Sequence, residues 1–134
     1  MCLIHSPHTT CSIFYEEYTH DDYNGDDYLS LDLSKKLEKM IEPHLSKDSY
    51  YYPGPKHYEA VEAWPHPEQW LPNGDKKALW NGDAHLKVIL ISSSQTVPIS
   101  KGKLSFGKTG YLYFVDFDRT RERERFFQLT IMGE

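Results

Sequence analysis

Two cysteines in 134 residues, Cys2 and Cys11, are too few for a disulfide framework or a zinc ribbon. Both stand among strand-like residues, which suits small buried thiols in a reducing compartment. The metal and nucleotide signatures HExxH, CxxC, GxGxxG and the P-loop are all absent. No apolar run approaches the roughly 20 residues that would span a bilayer, so no membrane partner is expected. The opening "MCLIHSPH" has neither a basic flank nor a long apolar stretch, so a signal peptide is not expected and a cytoplasmic location is. Positive charge is also in deficit. Fifteen Lys and Arg against twenty Asp and Glu give a net charge of -5, which disfavours nucleic acid as a partner. The one basic stretch, "RTRERER" at 119–125, alternates arginine with glutamate and reads as a solvated turn.

What is present is ample packing material. Aromatics make up 14% of the chain, with ten tyrosines, and one domain over 1–134 is the simplest organisation. The first strand-like runs are "CLI" and "SIFYEEY". Leu29, Leu33, Leu37, Met40 and Ile41, with Leu45 beyond, fall on one side of a helix that Pro43 limits. The stretch 46–81 is aromatic, Pro-rich and irregular, and it holds Trp64, Trp70 and Trp80. It is too aromatic for a disordered linker and too long for an ordinary loop, so an ordered flap with largely buried tryptophans is expected. Then "HLKVILIS" (85–92) alternates as a strand, with Leu86, Val88 and Leu90 on one face. Runs at 95–100, 103–106, 111–118 and 125–132 follow, separated by turn residues, as in an antiparallel meander. The layout predicts an α+β domain, mainly an antiparallel β-sandwich, with one helix alongside and a long aromatic flap.

Candidate chemistry lies in scattered residues. None of the seven histidines pairs at a spacing that declares a site, and His5 and His8, three apart in extended chain, point to opposite faces. In "NGDAHLK" (81–87) a turn delivers His85 to the mouth of the expected strand, where Asp83 can orient it or where it is simply solvated. Glu16 and Glu17 are adjacent in a strand, so one faces inward or both reach solvent at an edge. The acidic run at 20–27 lacks EF-hand spacing and leads into the helix, with Asp26 or Asp27 near its cap.

The segments "SPHTTCSI", "NGDAHLKVILISSSQTVPISKGKLSFG" and "YLYFVDFDRTRER…QLTIMGE", together with the acidic lead into a helix, resemble the YjbQ-like family of small uncharacterised proteins. The spacing of Ser94, Val97, Ile99, Gly102 and Gly107 carries the resemblance most strongly. It implies a β-sandwich assembled as a homotrimer, with a pocket marked by three histidines: His8, His57 and His85. His66 or His44 are alternatives to His57. Three imidazoles with an open position would suit zinc or another divalent metal. They would equally suit an anion site of protonated histidines. The resemblance further implies Glu16 and Arg121 as catalytic groups, the first as base and the second on a phosphate. Thr9, Thr10, Asn81, Asp83 and Ser94 are the polar residues expected to touch a substrate. Some members of the family are credited with a weak thiamine-phosphate synthase activity, which points to a phosphorylated small molecule. Two readings follow: a metal-dependent enzyme on such a molecule, or a non-catalytic ligand-binding or assembly module with a residual pocket. Two departures stand out. Lys108, Thr109 and Gly110 follow Gly107 where the family has Thr-Trp-Gln, and the family's strands before the "HTT" segment have no counterpart. A chain lacking those strands is expected to expose a sheet edge and self-associate.

Overall fold

The computed structural model describes residues 1–133. Strands β1 (Cys2–His5) and β2 (Cys11–Glu17) open the chain, followed by a short hairpin of β3 (Asp22–Tyr23) and β4 (Asp26–Asp27). Helix α1 (Tyr28–Met40) follows, then α2 (Pro55–Glu62), three short 3-10 turns, and α3 (Gly82–Ile91). The remaining strands are β5 (Ser94–Val97), β6 (Ile99–Ser100), β7 (Lys103–Leu104), β8 (Gly110–Asp116) and β9 (Gln128–Ile131). No helix among the described residues is long and apolar enough to cross a membrane.

The strands do not run as a meander. β1 lies between β5 and β9, both antiparallel to it, and β2 pairs with β8, from Cys11 opposite Asp116 to Glu17 opposite Gly110. Only β3–β4 and β6–β7 join sequence neighbours. The result is a mixed α and β fold of several small antiparallel sheets with three helices, where one helix was expected.

The largest departure is at 82–91, which is helix α3 and not a strand. Val88, Ile89 and Ile91 favour a strand by type, but a short apolar run does not distinguish strand from buried helix. The helical stripe is Ala84, Lys87, Val88 and Ile91, the i, i+3, i+4, i+7 positions of one face. Ala84 and Val88 are buried with Leu37 of α1 and Phe117 after β8, while Leu86, Ile89 and Leu90 are exposed. Asp83 suits the positive end of the helix and pairs with Lys87 one turn on at 2.8 Å. Asp83 therefore holds Lys87 and does not orient His85. Gly82 lets the helix start against buried His44: a Cβ there would stand 2.9 Å from Tyr50 Cδ1 and 3.3 Å from His44 Nδ1. The same His44 nitrogen accepts the Gly82 N–H at 3.2 Å.

Helix α1 matches its expected pattern in part. Asp27 is its N-cap, accepting from Leu29 N at 2.9 Å and Ser30 N at 3.4 Å. Leu33 and Leu37 face the core, but Met40, the last residue of the helix, and Leu45, beyond the point where the chain leaves helical geometry at Ile41, are exposed. The β2–β8 ribbon separates two apolar clusters. On one face Ile13 and Leu112 join Cys2, Ile4 and Val97, and on the other Val115 and Phe117 meet α1 and α3.

The 46–81 segment is ordered by α2 and the 3-10 turns, and it carries a cluster of its own: Val61, Leu71 and Leu79 are buried, with Tyr58 and Trp70 against them. Its tryptophans are not largely buried. Trp70 and Trp80 are half-buried and Trp64 keeps 40% of its surface exposed.

Lys87 is 2% exposed, so its ammonium depends on Asp83. Asp83→Ala should cost about 3–5 kcal/mol, because it strands a buried charge, whereas Lys87→Met removes that charge and should cost less than about 1 kcal/mol. Urea unfolding of the two variants checks the order, and equal losses would contradict it.

Candidate functional site

Three separate segments converge on a cavity of about 510 Å³. The β1–β2 loop brings His8, Thr9 and Thr10; the 46–81 segment brings Tyr52, His57, Trp64 and Trp70; the first turn of α3 and its cap bring His85 and Asn81. The fourth wall is the stretch after β8, with Arg121, Arg123 and Arg125. In that stretch the alternation has structural meaning. The three arginines are half-buried on the cavity side, while Glu122 and Glu124 are exposed. The reading of this stretch as a solvated turn is therefore overturned. A period-two alternation in extended chain puts one residue type on each face, and that signal was present in "RTRERER".

Two buried or half-buried carboxylates fold the arginines inward. Asp116, at the end of β8, accepts from Arg125 Nε at 2.8 Å and from Thr10 Oγ1 at 3.0 Å. Asp118 is paired with Arg123, accepts from the Asn81 side-chain amide, and takes the Thr120 N–H at 2.9 Å. Burial pushes both carboxyls up. Arg125, the Asp118 N–H and Thr10 nevertheless hold Asp116 below the usual range. Thr120, Asn81 and Arg123 do the same for Asp118.

Arg121 has no such carboxylate. Its Nη1 donates to the carbonyls of Ala78 at 2.7 Å and Trp70 at 3.0 Å. It makes no ion pair among the described residues, and its Nε is buried without a partner. Burial, then Arg123 and Arg125, pull its pKa down, with Asp118 opposing.

His8, His57 and His85 all line this cavity, whereas the alternatives do not. His44 is buried under Gly82, and His66 is exposed beside Glu68. The three are not arranged as a metal centre. His8 Nε2 faces the Phe126 N–H at 3.3 Å and its Nδ1 faces Arg125 Nη1 at 3.3 Å. Both neighbours are donors and a neutral imidazole accepts at one nitrogen only, so one of the two contacts meets the acceptor nitrogen of His8. His57 Nε2 meets the Tyr52 hydroxyl at 3.2 Å. Among the described residues no group of three or more His, Cys, Asp or Glu stands close enough to hold a metal ion.

The remaining expected residues divide. Thr9, Thr10 and Asn81 line the cavity, although Thr10 and Asn81 are committed to Asp116 and Asp118. Glu16 is exposed on β2 opposite Tyr111, its Oε1 accepting the Glu17 N–H at 2.7 Å, so it is not at the cavity. Ser94 lies in β5 opposite His5, also outside it. Sequence reasoning missed Tyr52, Trp64, Trp70, Arg123 and Arg125.

Burial lowers the pKa of two of the histidines at the site, His85 and His8. His85 is lowered by desolvation first, with Asp118 and the Thr9 backbone opposing and His57 and Arg123 reinforcing. His8 is lowered by desolvation and Arg125, against Asp116.

The fold and site together define a small α+β domain with one basic, aromatic-walled cavity. The chain belongs to the family described as UPF0047 protein YjbQ-like, which it matches over residues 1–134. It is 28% identical over 123 residues to a UPF0047 protein of Archaeoglobus fulgidus, covering 92% of this chain and 71% of that one. Among solved structures, a hypothetical protein of Aeropyrum pernix K1 is similar, with a TM-score of 0.61 and 25% identity over 99% of this chain and 73% of that one. A YbjQ-like protein of unknown function from Sulfolobus solfataricus P2 gives a TM-score of 0.62 and 26% identity, over 99% and 72%.

The pH dependence of stability follows from the neutral imidazoles. Their folded values lie below the ordinary 6.5, so as pH falls below 6.5 the unfolded chain takes up protons first and stability drops. Thermal melts should show a lower Tm at pH 5.0 than at pH 7.5, with a shallower dependence in His85→Asn. This window lies above the range where Asp116 and Asp118, lowered from 3.8, titrate. An unchanged slope in the variant would contradict the assignment.

Proposed function

We propose that the cavity binds a phosphorylated small molecule, with Arg121 as the group that meets the phosphate. The observation that carries this is the asymmetry among the arginines: Arg123 and Arg125 are matched by Asp118 and Asp116, and Arg121 hydrogen-bonds only to carbonyls. A half-buried guanidinium held by backbone and unmatched by a carboxylate favours an incoming anion, and its planar fork suits phosphate. Glu124 stands at the rim, where exposure to water weakens its opposition.

This reading keeps the phosphorylated ligand implied by the family resemblance and routes no step through zinc or another divalent metal. The Tyr52–His57 contact offers a proton donor and acceptor pair beside the bound molecule. That pair supports an enzymatic version over a purely binding one, with thiamine-phosphate synthesis as one reaction to assay. Self-association, for which the family resemblance implies a homotrimer, is supported by Leu129 and Ile131 of β9. They share the core face of Cys2 and Ile4 across β1 yet are 61% and 74% exposed. Sedimentation equilibrium should give a trimer mass, and a monomer at micromolar concentration would contradict it.

Titration calorimetry with inorganic phosphate and with pyrophosphate tests the ligand class. Saturable binding is expected, weakened about 10- to 100-fold in Arg121→Gln, the range for a lost charge-assisted hydrogen bond. No binding of either anion, or an Arg121→Gln variant that binds as the native chain does, would overturn the proposal.

A further inference from the structure

The cavity has an aromatic wall that anion binding alone does not require. Trp64 leaves 40% of its surface exposed. It is not isolated, for two other rings stand against it. Trp70 meets it edge-to-face with centroids 5.2 Å apart at 77°, and His57 does so from 6.3 Å at 88°. Trp70 is itself packed on Val61, Leu71 and Leu79. Trp64 is therefore an exposed ring already in contact with two others, so a ligand stacking on it orders less than it would on an isolated side chain.

Trp80 serves as a contrast within the same segment. It stacks on His44 at 5.8 Å, donates its Nε1–H to Tyr58 Oη at 3.2 Å, and takes no part in the cavity. Trp64, by contrast, lines the cavity.

An aromatic wall accepts either a cation or a planar ring. The charge of the cavity decides between them. Asp118 and Asp116 are taken up by Arg123 and Arg125, Glu124 is exposed to water at the rim, and His8 and His85 are held neutral, so a cationic ligand in the interior would meet Arg121 with no carboxylate matched to it. A planar ring carries no such penalty. The anchor and the wall are also rigidly linked, because Arg121 Nη1 donates to the Trp70 carbonyl at 3.0 Å.

Building on the anion-site reading above, we propose that the natural ligand class is a phosphate ester of a planar aromatic ring, with Arg121 on the phosphate and the Trp64 indole stacked on the ring. Trp64 is on this account the residue that selects among phosphorylated molecules.

The test compares phenyl phosphate, glycerol phosphate and inorganic phosphate on the full chain by titration calorimetry. Phenyl phosphate should bind roughly 5- to 100-fold more tightly than glycerol phosphate, the range that aromatic stacking contributes. Trp64→Leu keeps apolar bulk without a ring and should bring the ratio of those two affinities toward unity. Trp64→Phe keeps a ring and should preserve most of the ratio. That pair also guards against misreading a folding defect, since both variants shorten the same side chain. Equal binding of the two esters to the native chain, or a ratio that survives Trp64→Leu, would overturn the inference while leaving the anion site standing. Failure of all three phosphates to bind would overturn both.

Discussion

Asp116 and Asp118 carry the architecture of the site. They sit where β8 ends, one half-buried and the other buried, and in each the surrounding groups outweigh the upward push of burial. Asp116 ties the Arg125 guanidinium to the Thr10 hydroxyl, which joins the charged stretch to the β1–β2 loop. Asp118 ties Arg123 to Asn81, which joins the same stretch to the start of α3. Without these carboxylates, three arginines would have no reason to leave water for a shared cavity, since burying a charge without a partner is strongly unfavourable. The pairs are best regarded as positioning devices. A buried ion pair adds little net stability, but it specifies which side chains face which way.

Their arithmetic also determines what the cavity can bind. Asp118 and Asp116 are committed to Arg123 and Arg125 and Glu124 is exposed at the rim, so the remaining guanidinium, Arg121, has no matched carboxylate and is anchored to the backbone of a different segment. The histidines do not add to this surplus, because burial keeps His8 and His85 neutral. The family resemblance placed three histidines at a pocket, and all three line it. Their surroundings nonetheless make them part of the wall, and the proposed anion site rests on the arginine.

The legibility of the sequence varied with the range of the interactions involved. Local signals read well: Asp27 capping α1, the Leu33 and Leu37 stripe, and the strands around β1, β2 and β8 rest on short-range periodicity and turn chemistry. The stretch 82–91 did not, because Val88, Ile89 and Ile91 have strand preferences that tertiary packing overrides. Burying Ala84 and Val88 against Leu37 and Phe117 requires the helical spacing. The strand pairing was equally hidden, since β1 joins β5 and β9 from the far end of the chain. At the site, the motif histidines could be named, whereas Arg123, Arg125, Tyr52 and Trp64 could not. Each of these acts through a partner more than five residues away or through a neighbour's carboxylate, save Tyr52, whose contact with His57 spans only five residues and one helix start.

The 46–81 segment then explains why the site holds its shape with so little regular structure. Val61, Leu71 and Leu79 give it a small apolar cluster of its own, so its turns are fixed from within. Having been fixed, it offers two backbone carbonyls, of Trp70 and Ala78, that its 3-10 turns leave for other donors. Arg121 takes both, and the Thr120 hydroxyl lies 2.8 Å from the second. The charged stretch thus closes onto the segment through the same residue that faces the ligand. Placement of the guanidinium and placement of the indole wall are consequently one structural event. A change that loosened the Val61–Leu71–Leu79 cluster would disturb anion affinity and ring selection together, whereas a change at Asp116 would disturb the arginines and leave the wall in place. Selectivity in this fold is set by how the segment packs on itself, and charge by how β8 ends.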